Sequence, residues 1–185
     1  MSARILLHIC CGSCALYPVQ ELQEQGLEVM GLFYNPNIHP LKEYLRRRQT
    51  VEQAAEYWGI KVIYLDQEYD PVHYLRQVVF RESNRCFLCY QLRLQRTLQL
   101  ARRGKFDYFS STLLYSKQQK HQEIADLARD MSRAGKVQFW YQDFRLGWKQ
   151  GIELSLELGL YRQDYCGCIY SELERFQGEL AAKQK

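Results

Sequence analysis

Seven cysteines fall in three tight runs, Cys10-Cys11-Gly12-Ser13-Cys14, Cys86-Phe87-Leu88-Cys89 and Cys166-Gly167-Cys168, and nowhere else in the 185 residues. Thiolates held this close bind metal or carry out redox chemistry. A structural zinc closes its shell with four ligands, and seven thiols exceed that number. Ligation of a [4Fe-4S] cluster by four cysteines leaves about three over, for a second metal, a dithiol pair or packing. The metal reading ranks first, because the C-C and C-x-C pairs can each send one thiolate to either of two adjacent centres. The C-x-x-C of Cys86 and Cys89 is weak alone, being shared by zinc sites, redox dithiols and iron-sulfur centres. Cys166-Gly167-Cys168 is more restrictive, since its glycine lets neighbouring thiolates turn toward a common region.

The elements that must position these thiols alternate short β-rich runs with helical patterns. Ile5 to Ile9, Val29 to Tyr34, Val62 to Leu65, Tyr108 to Ser110 and Val137 to Tyr141 read as strands, joined by connections long enough for crossover helices. Val51, Ala54, Ala55 and Trp58 recur at helical spacing, as do Ile124, Leu127, Ala128 and Met131. The pattern predicts one α/β domain over residues 1–185, a mostly parallel sheet with helices on both faces and a cysteine-rich C-terminal segment. Its core spans about residues 4–175, with 176–185 as a tail that ends in a frayed Ala181-Ala182-Lys183-Gln184-Lys185. Ligands of such sheets bind beyond the carboxyl ends of the strands. Cys10, Cys11 and Cys14 lie there, across a turn permitted by Gly12 and Ser13 and the opening of a helix whose first turn holds Pro18.

Composition excludes several classes. A secreted disulfide scaffold would be shorter and would spread an even number of cysteines. The start, Met1 to His8, has too short an apolar run for an export signal, and no segment approaches the roughly 18 to 20 apolar residues of a membrane helix. The expected setting is the cytoplasm, with no membrane partner. The net charge of +4 is mild. Basic residues are grouped at Arg46-Arg47-Arg48, Arg93 with Arg96, Arg102-Arg103 with Lys105, and Lys117 with Lys120, a pattern more often found on solvated helix faces than in nucleic-acid sites.

Read together, the motifs resemble the QueH family, the cobalamin-independent epoxyqueuosine reductases. The resemblance is carried by Leu7-His8-Ile9-Cys10-Cys11-x-x-Cys14, Tyr34-Asn35-Pro36-Asn37-Ile38-His39-Pro40, and Glu43-Tyr44 with Arg47. It continues through Arg85-Cys86-x-x-Cys89-Tyr90-x-x-Arg93-Leu94, Ser111-Thr112-Leu113-Leu114, Ser116, His121, Asp143-Phe144-Arg145 and Gly159-Leu160-Tyr161-Arg162-Gln163-x-Tyr165-Cys166-Gly167-Cys168. The match runs in order from about Leu6 to Ser171. Two departures stand out. Gly12-Ser13 replaces the family's usual Ala-Pro, for which changed local stiffness and retained ligation are expected. Ser116-Lys117-Gln118-Gln119-Lys120-His121 replaces a proline-containing loop, with His121 matching.

The resemblance implies a Rossmann-like fold shared with adenine-nucleotide α hydrolases, and the last step of queuosine synthesis on tRNA. It also implies a [4Fe-4S] cluster with an adjacent iron ion, in agreement with the surplus of thiols. The expected division gives Cys86, Cys89, Cys11 and Cys168 to the cluster, and Cys10, Cys14 and Cys166 to the second iron. His39, His121, Asp143 and Tyr34 are candidates for proton supply, although Asp143 with Arg145 also reads as a structural ion pair. Asn35, Asn37, Tyr44, Arg47, Arg93, Ser116 and Arg145 are candidates for contact with tRNA, where arginines near aromatics would hold phosphates and stack bases. The expected partners are tRNAs with queuosine-family anticodons and an unidentified electron donor such as a ferredoxin or flavodoxin. Two other classes compete. A non-catalytic zinc module could bind RNA, and an ATP-dependent tRNA-modifying enzyme of the same fold would need a phosphate loop where Cys10 to Cys14 stand.

Overall fold

Ile5, Leu6 and Leu7 have no exposed surface at all, as a strand covered on both faces requires. They form the centre of β1 (Arg4–His8) in a computed structural model that describes residues 2–133 and 135–182. The remaining strands are β2 (Glu28–Phe33), β3 (Lys61–Tyr64), β4 (Tyr108–Ser111) and β5 (Gln138–Phe139). All pair in parallel, in the order β3-β2-β1-β4-β5. Each predicted strand is present within one residue at its ends, except the last. There the edge strand keeps only Gln138 and Phe139 in the ladder, and the chain leaves the sheet after the Trp140 amide bonds the Phe109 carbonyl.

The helices are α1 (Gly12–Glu24), α2 (Leu41–Trp58), α3 (Pro71–Val78), α4 (Arg85–Arg103), α5 (His121–Ser132), α6 (Trp148–Glu157) and α7 (Ile169–Ala182). From β1 the chain crosses to β2 on one side and, later, to β4 on the other. Right-handed crossovers therefore put α1 and α2 on one face of the sheet and α4 and α5 on the opposite face. This doubly wound order creates a switch point between the carboxyl ends of β1 and β4, the place where such sheets bind ligands. Helix α7 runs through Ala182, so the segment expected as a tail is helical to that residue. Residues 183–185 of the expected frayed end lie outside the described residues.

Two local expectations are corrected. Gly12 and Ser13 are the first residues of α1 and not a turn, because Cys11 already adopts the extended N-cap conformation. Pro18 sits inside α1, beyond its first turn, where its missing N–H removes the helical donor to the Cys14 carbonyl. Gly12 is dictated by packing. A Cβ there would stand 1.9 Å from the Thr50 carbonyl oxygen of α2, and the Gly12 amide donates to Thr50 Oγ1 at 3.1 Å.

Candidate metal centre at the switch point

The first cysteine run leaves β1 and enters α1. The Cys10 amide donates to Thr112 Oγ1 at 3.1 Å, and the same hydroxyl lies 3.3 Å from Cys10 Sγ, so the residue after β4 fixes the thiol after β1. The sulfurs of Cys10, Cys11 and Cys14 all lie within 4.8 Å of one another and are buried. Cys11 is the thiol of this group shifted toward ionisation. Burial works to raise it, but hydrogen bonds from Cys10 and Cys14 and the Arg47 guanidinium hold it well below the ordinary thiol value. Cys14, hydrogen-bonded to the other two sulfurs, is pushed well above it.

Cys86 and Cys89 share one face at the start of α4, three residues apart. Burial pushes the Cys89 thiol up to about 12, against the pull of Arg93 one turn further on. Arg93 donates to Cys89 Sγ at 2.9 Å and to the Cys89 carbonyl at 3.1 Å. The third run is held by α2: Arg47 donates to the Tyr165 and Cys166 carbonyls at 2.9 and 2.8 Å, while Glu43 accepts from Arg47 at 2.7 Å and from Tyr161 at 2.8 Å. Gly167 has φ +137°, which an L side chain rarely adopts, and its carbonyl accepts from the His39 amide at 2.7 Å. The strap from Tyr161 to Cys168 is thereby closed over the switch point.

The result is one cavity of about 670 Å³ lined by Cys10, Cys14, Cys86, Cys89, Cys166 and Cys168, with Cys11 directly behind Cys10 and Cys14. Every cysteine is free. Amides finish the wall: Gln119 donates to Cys166 Sγ at 3.1 Å and Gln163 to Cys14 Sγ at 3.3 Å. Cys89 and Cys168 pack together with Tyr74 and Val78. Cys11 stands with Cys10 and Cys14. The donor set fits a soft, thiolate-bound metal: seven sulfurs, two buried guanidiniums to balance their charge, and unpartnered polar atoms of Asn37 and Tyr74 on the same wall.

The other expected residues separate into three sets. Arg47 and Arg93 are 1% and 2% exposed and line the cavity, Arg47 donating to the Cys166 carbonyl and Arg93 to Cys89 Sγ. Asn35 and Tyr44 are buried supports. Asn35 links the Ile9 carbonyl to His8, and Tyr44 donates to Asp66 at 2.7 Å beneath the Tyr69 ring. Asn37 and Ser116 also line the cavity.

Asp143 and Arg145 form a two-pronged pair at 2.7 and 2.6 Å, as the structural reading expected. His121 bonds Tyr141 at 3.2 Å beside them, and neither His121 nor Asp143 lines the cavity. The Tyr34 hydroxyl is raised by burial and by Glu68, near Arg96, and Tyr34 too is absent from the cavity wall. His39 is also absent from the cavity lining, but it is buried, stacks at a tilt on the lining residue Tyr74 with ring centres 5.6 Å apart, and has both ring nitrogens unpartnered. Sequence reasoning did not single out Tyr74, which lies on α3 in a stretch without cysteine. Gln119, Gln163 and Arg162 were inside quoted motifs, but their roles depend on folding distant segments together.

Fold and site define a Rossmann-like α/β protein whose seven free thiols, five of them buried, gather at its switch point. A family model described as "Epoxyqueuosine reductase QueH" matches residues 5–174. The chain is 37% identical over 176 residues to the epoxyqueuosine reductase QueH of Dehalococcoides mccartyi, covering 95% of this chain and 96% of that one. It is 34% identical to the protein of that name from Thermotoga maritima, over 92% and 91% of the two chains. With that of Streptococcus pyogenes serotype M1 it shares 35% identity, over 90% and 69%. The chain belongs to the QueH family of epoxyqueuosine reductases.

Proposed function

We propose that this oxidoreductase reduces the epoxide of epoxyqueuosine in tRNA to the alkene of queuosine. Two electrons and two protons enter, both carbon–oxygen bonds of the epoxide break, a carbon–carbon double bond forms, and the oxygen leaves as water. The observation that carries the reading is the convergence of all three cysteine runs on one cavity at the β1–β4 switch point, in a chain that matches the family over residues 5–174.

The seven cysteines are proposed to hold a [4Fe-4S] cluster and a single iron ion. Cys86 and Cys89 are assigned to the cluster and Cys14 to the single ion, with one member of each of the Cys10–Cys11 and Cys166–Cys168 pairs going to the cluster and the other to the ion. When bound, such a centre supplies one-electron transfer and Lewis acidity toward the departing oxygen. The protein's part is to exclude bulk water, balance the thiolate charge through Arg47 and Arg93, and hold the strap in place. His39 is proposed to relay protons, its buried nitrogens being free of other partners.

Arg162, Lys120 and Arg175 stand on the cavity rim, exposed, and are proposed to meet tRNA phosphates. Electrons are proposed to come from a carrier such as a ferredoxin or flavodoxin. Among the described residues no helix is long and apolar enough to cross a membrane, and a cytoplasmic setting is proposed.

Iron, zinc and acid-labile sulfide per chain, measured after purification without oxygen, test the centre. Roughly five irons to four sulfides are expected. Zinc with no sulfide, persisting after attempted reconstitution, would favour the zinc-module reading.

A further inference from the structure

Among the described residues, three side chains on the cavity wall carry buried polar atoms with no protein partner: Asn37, Tyr74 and, through its Nε alone, Arg85. Asn37 and Tyr74 are each 1% exposed, yet both amide atoms of Asn37 and the Tyr74 hydroxyl make no hydrogen bond. Leaving a buried polar group unpaired costs about 1–3 kcal/mol. Both groups border the cysteine cavity. Tyr74 packs directly with Cys89 and Cys168 in one buried cluster beside Val78, Leu75 and Leu88, and the His39 ring stacked on it accepts no hydrogen bond from its hydroxyl. The partner this arrangement lacks is therefore an acceptor located at the sulfur wall. Thiolates and inorganic sulfides accept hydrogen bonds and donate none, which suits a phenol O–H and an amide N–H.

We propose that the Tyr74 hydroxyl and the Asn37 amide donate hydrogen bonds to the sulfur atoms of the metal–sulfur group held at Cys86, Cys89 and Cys168, and so raise its reduction potential. A donor to sulfur favours the more negative, reduced state, and hydrogen bonding to sulfur is among the factors that set cluster potentials. This inference rests on the cluster reading given above. It adds residues from α3 and from the loop after β2, neither of which carries a cysteine.

The test is a redox titration, followed by electron paramagnetic resonance, of anaerobically purified wild type and Tyr74→Phe, with iron and sulfide counted in both. The expected result is unchanged iron and sulfide with a more negative midpoint potential in the variant. Asn37→Ala gives a second, independent potential expected to move the same way. Equal potentials at full iron content in both variants would overturn the inference. Iron-free protein provides a control for packing. There the hydroxyl has no partner, so Tyr74→Phe should leave the melting temperature unchanged or raised. A fall of several degrees would show that the hydroxyl is already bonded within the protein, contrary to the proposal. Loss of iron from Tyr74→Phe, with that melting temperature unchanged, would count in its favour. Absence of sulfide from the wild type would instead refute the cluster reading.

Discussion

Arg93 places a guanidinium nitrogen 2.9 Å from the sulfur of Cys89 at a position only 2% exposed. The same charge acts on Cys166 and Cys10, so one buried arginine faces all three cysteine runs. Two of its donor nitrogens, Nε and Nη2, are held by Cys89 on the wall of the site.

Arg93→Met should therefore lower the iron bound per chain and destabilise the protein by about 3–5 kcal/mol, the cost of leaving buried charge uncompensated. The affinity of folded protein for tRNA should change little at constant iron. Iron analysis, thermal melting and a tRNA binding titration measure the three quantities separately. Weakened tRNA binding with normal iron content would assign Arg93 to the phosphates.

Gly12 admits α1 to within contact of the Thr50 carbonyl on α2. Gly12→Ala should cost about 1–3 kcal/mol through forced separation of the helices, seen as a fall in Tm of roughly 2–4 °C per kcal/mol in a chain of this size. Because the backbone of Cys11 and Cys14 moves with α1, iron retention should fall with it. An alanine variant as stable as the wild type would show that the contact relaxes freely.

His8, fully buried on β1, has its pKa lowered to about 4 by burial first and by Arg93 second. Its Nε2–H donates to Asn35 Oδ1 and the Tyr34 carbonyl, both at 3.2 Å, and its Nδ1 lies 2.9 Å from the Ser111 hydroxyl. The neutral ring is the folded form. In the unfolded chain the ring titrates near 6.5, so below that pH unfolding gains a proton and stability falls. The contribution is complete above pH 6.5 and is lost on acidification toward about 4, roughly 3 kcal/mol in all. His8→Gln should flatten this part of the stability–pH curve, as read from urea melts of the iron-free protein. A wild-type curve already flat between those values would contradict it.

Arg162 and Lys120 line the cavity rim, Arg162 with no acidic partner among the described residues and Lys120 shared with Glu123 at 3.2 Å. Replacing either with Gln should raise KM for tRNA more than it lowers kcat. Each loss should also reduce the slope of log affinity against log salt by about 1. An unchanged slope would place the tRNA elsewhere.

Much of this organisation was legible in the sequence. Apolar runs such as Ile5-Leu6-Leu7 can only be buried strands here, and their spacing announced parallel crossovers. The cysteine runs identified the centre because clustered thiols are rare without metal. What sequence could not give was the direction in which a side chain points. Arg47 and Arg93 read as phosphate contacts because charge normally stays in water, and their burial beside the cysteines depends on segments distant in sequence. Asp143 and His121 carry the right chemistry, yet the fold spends them on each other's neighbourhood with Arg145 and Tyr141. Tyr74 gave no signal at all, since an α3 tyrosine becomes notable only once Cys89 and Cys168 are packed against it.

The central claim is tested most directly by incubating the anaerobically purified, iron-loaded protein with a chemical reductant and tRNA carrying epoxyqueuosine, then analysing the digested nucleosides by mass spectrometry. The account predicts a product lighter by one oxygen atom that co-elutes with queuosine. Loss of that product is expected in Cys89→Ser. Unchanged epoxyqueuosine, from protein whose iron and sulfide are present in full, would contradict it.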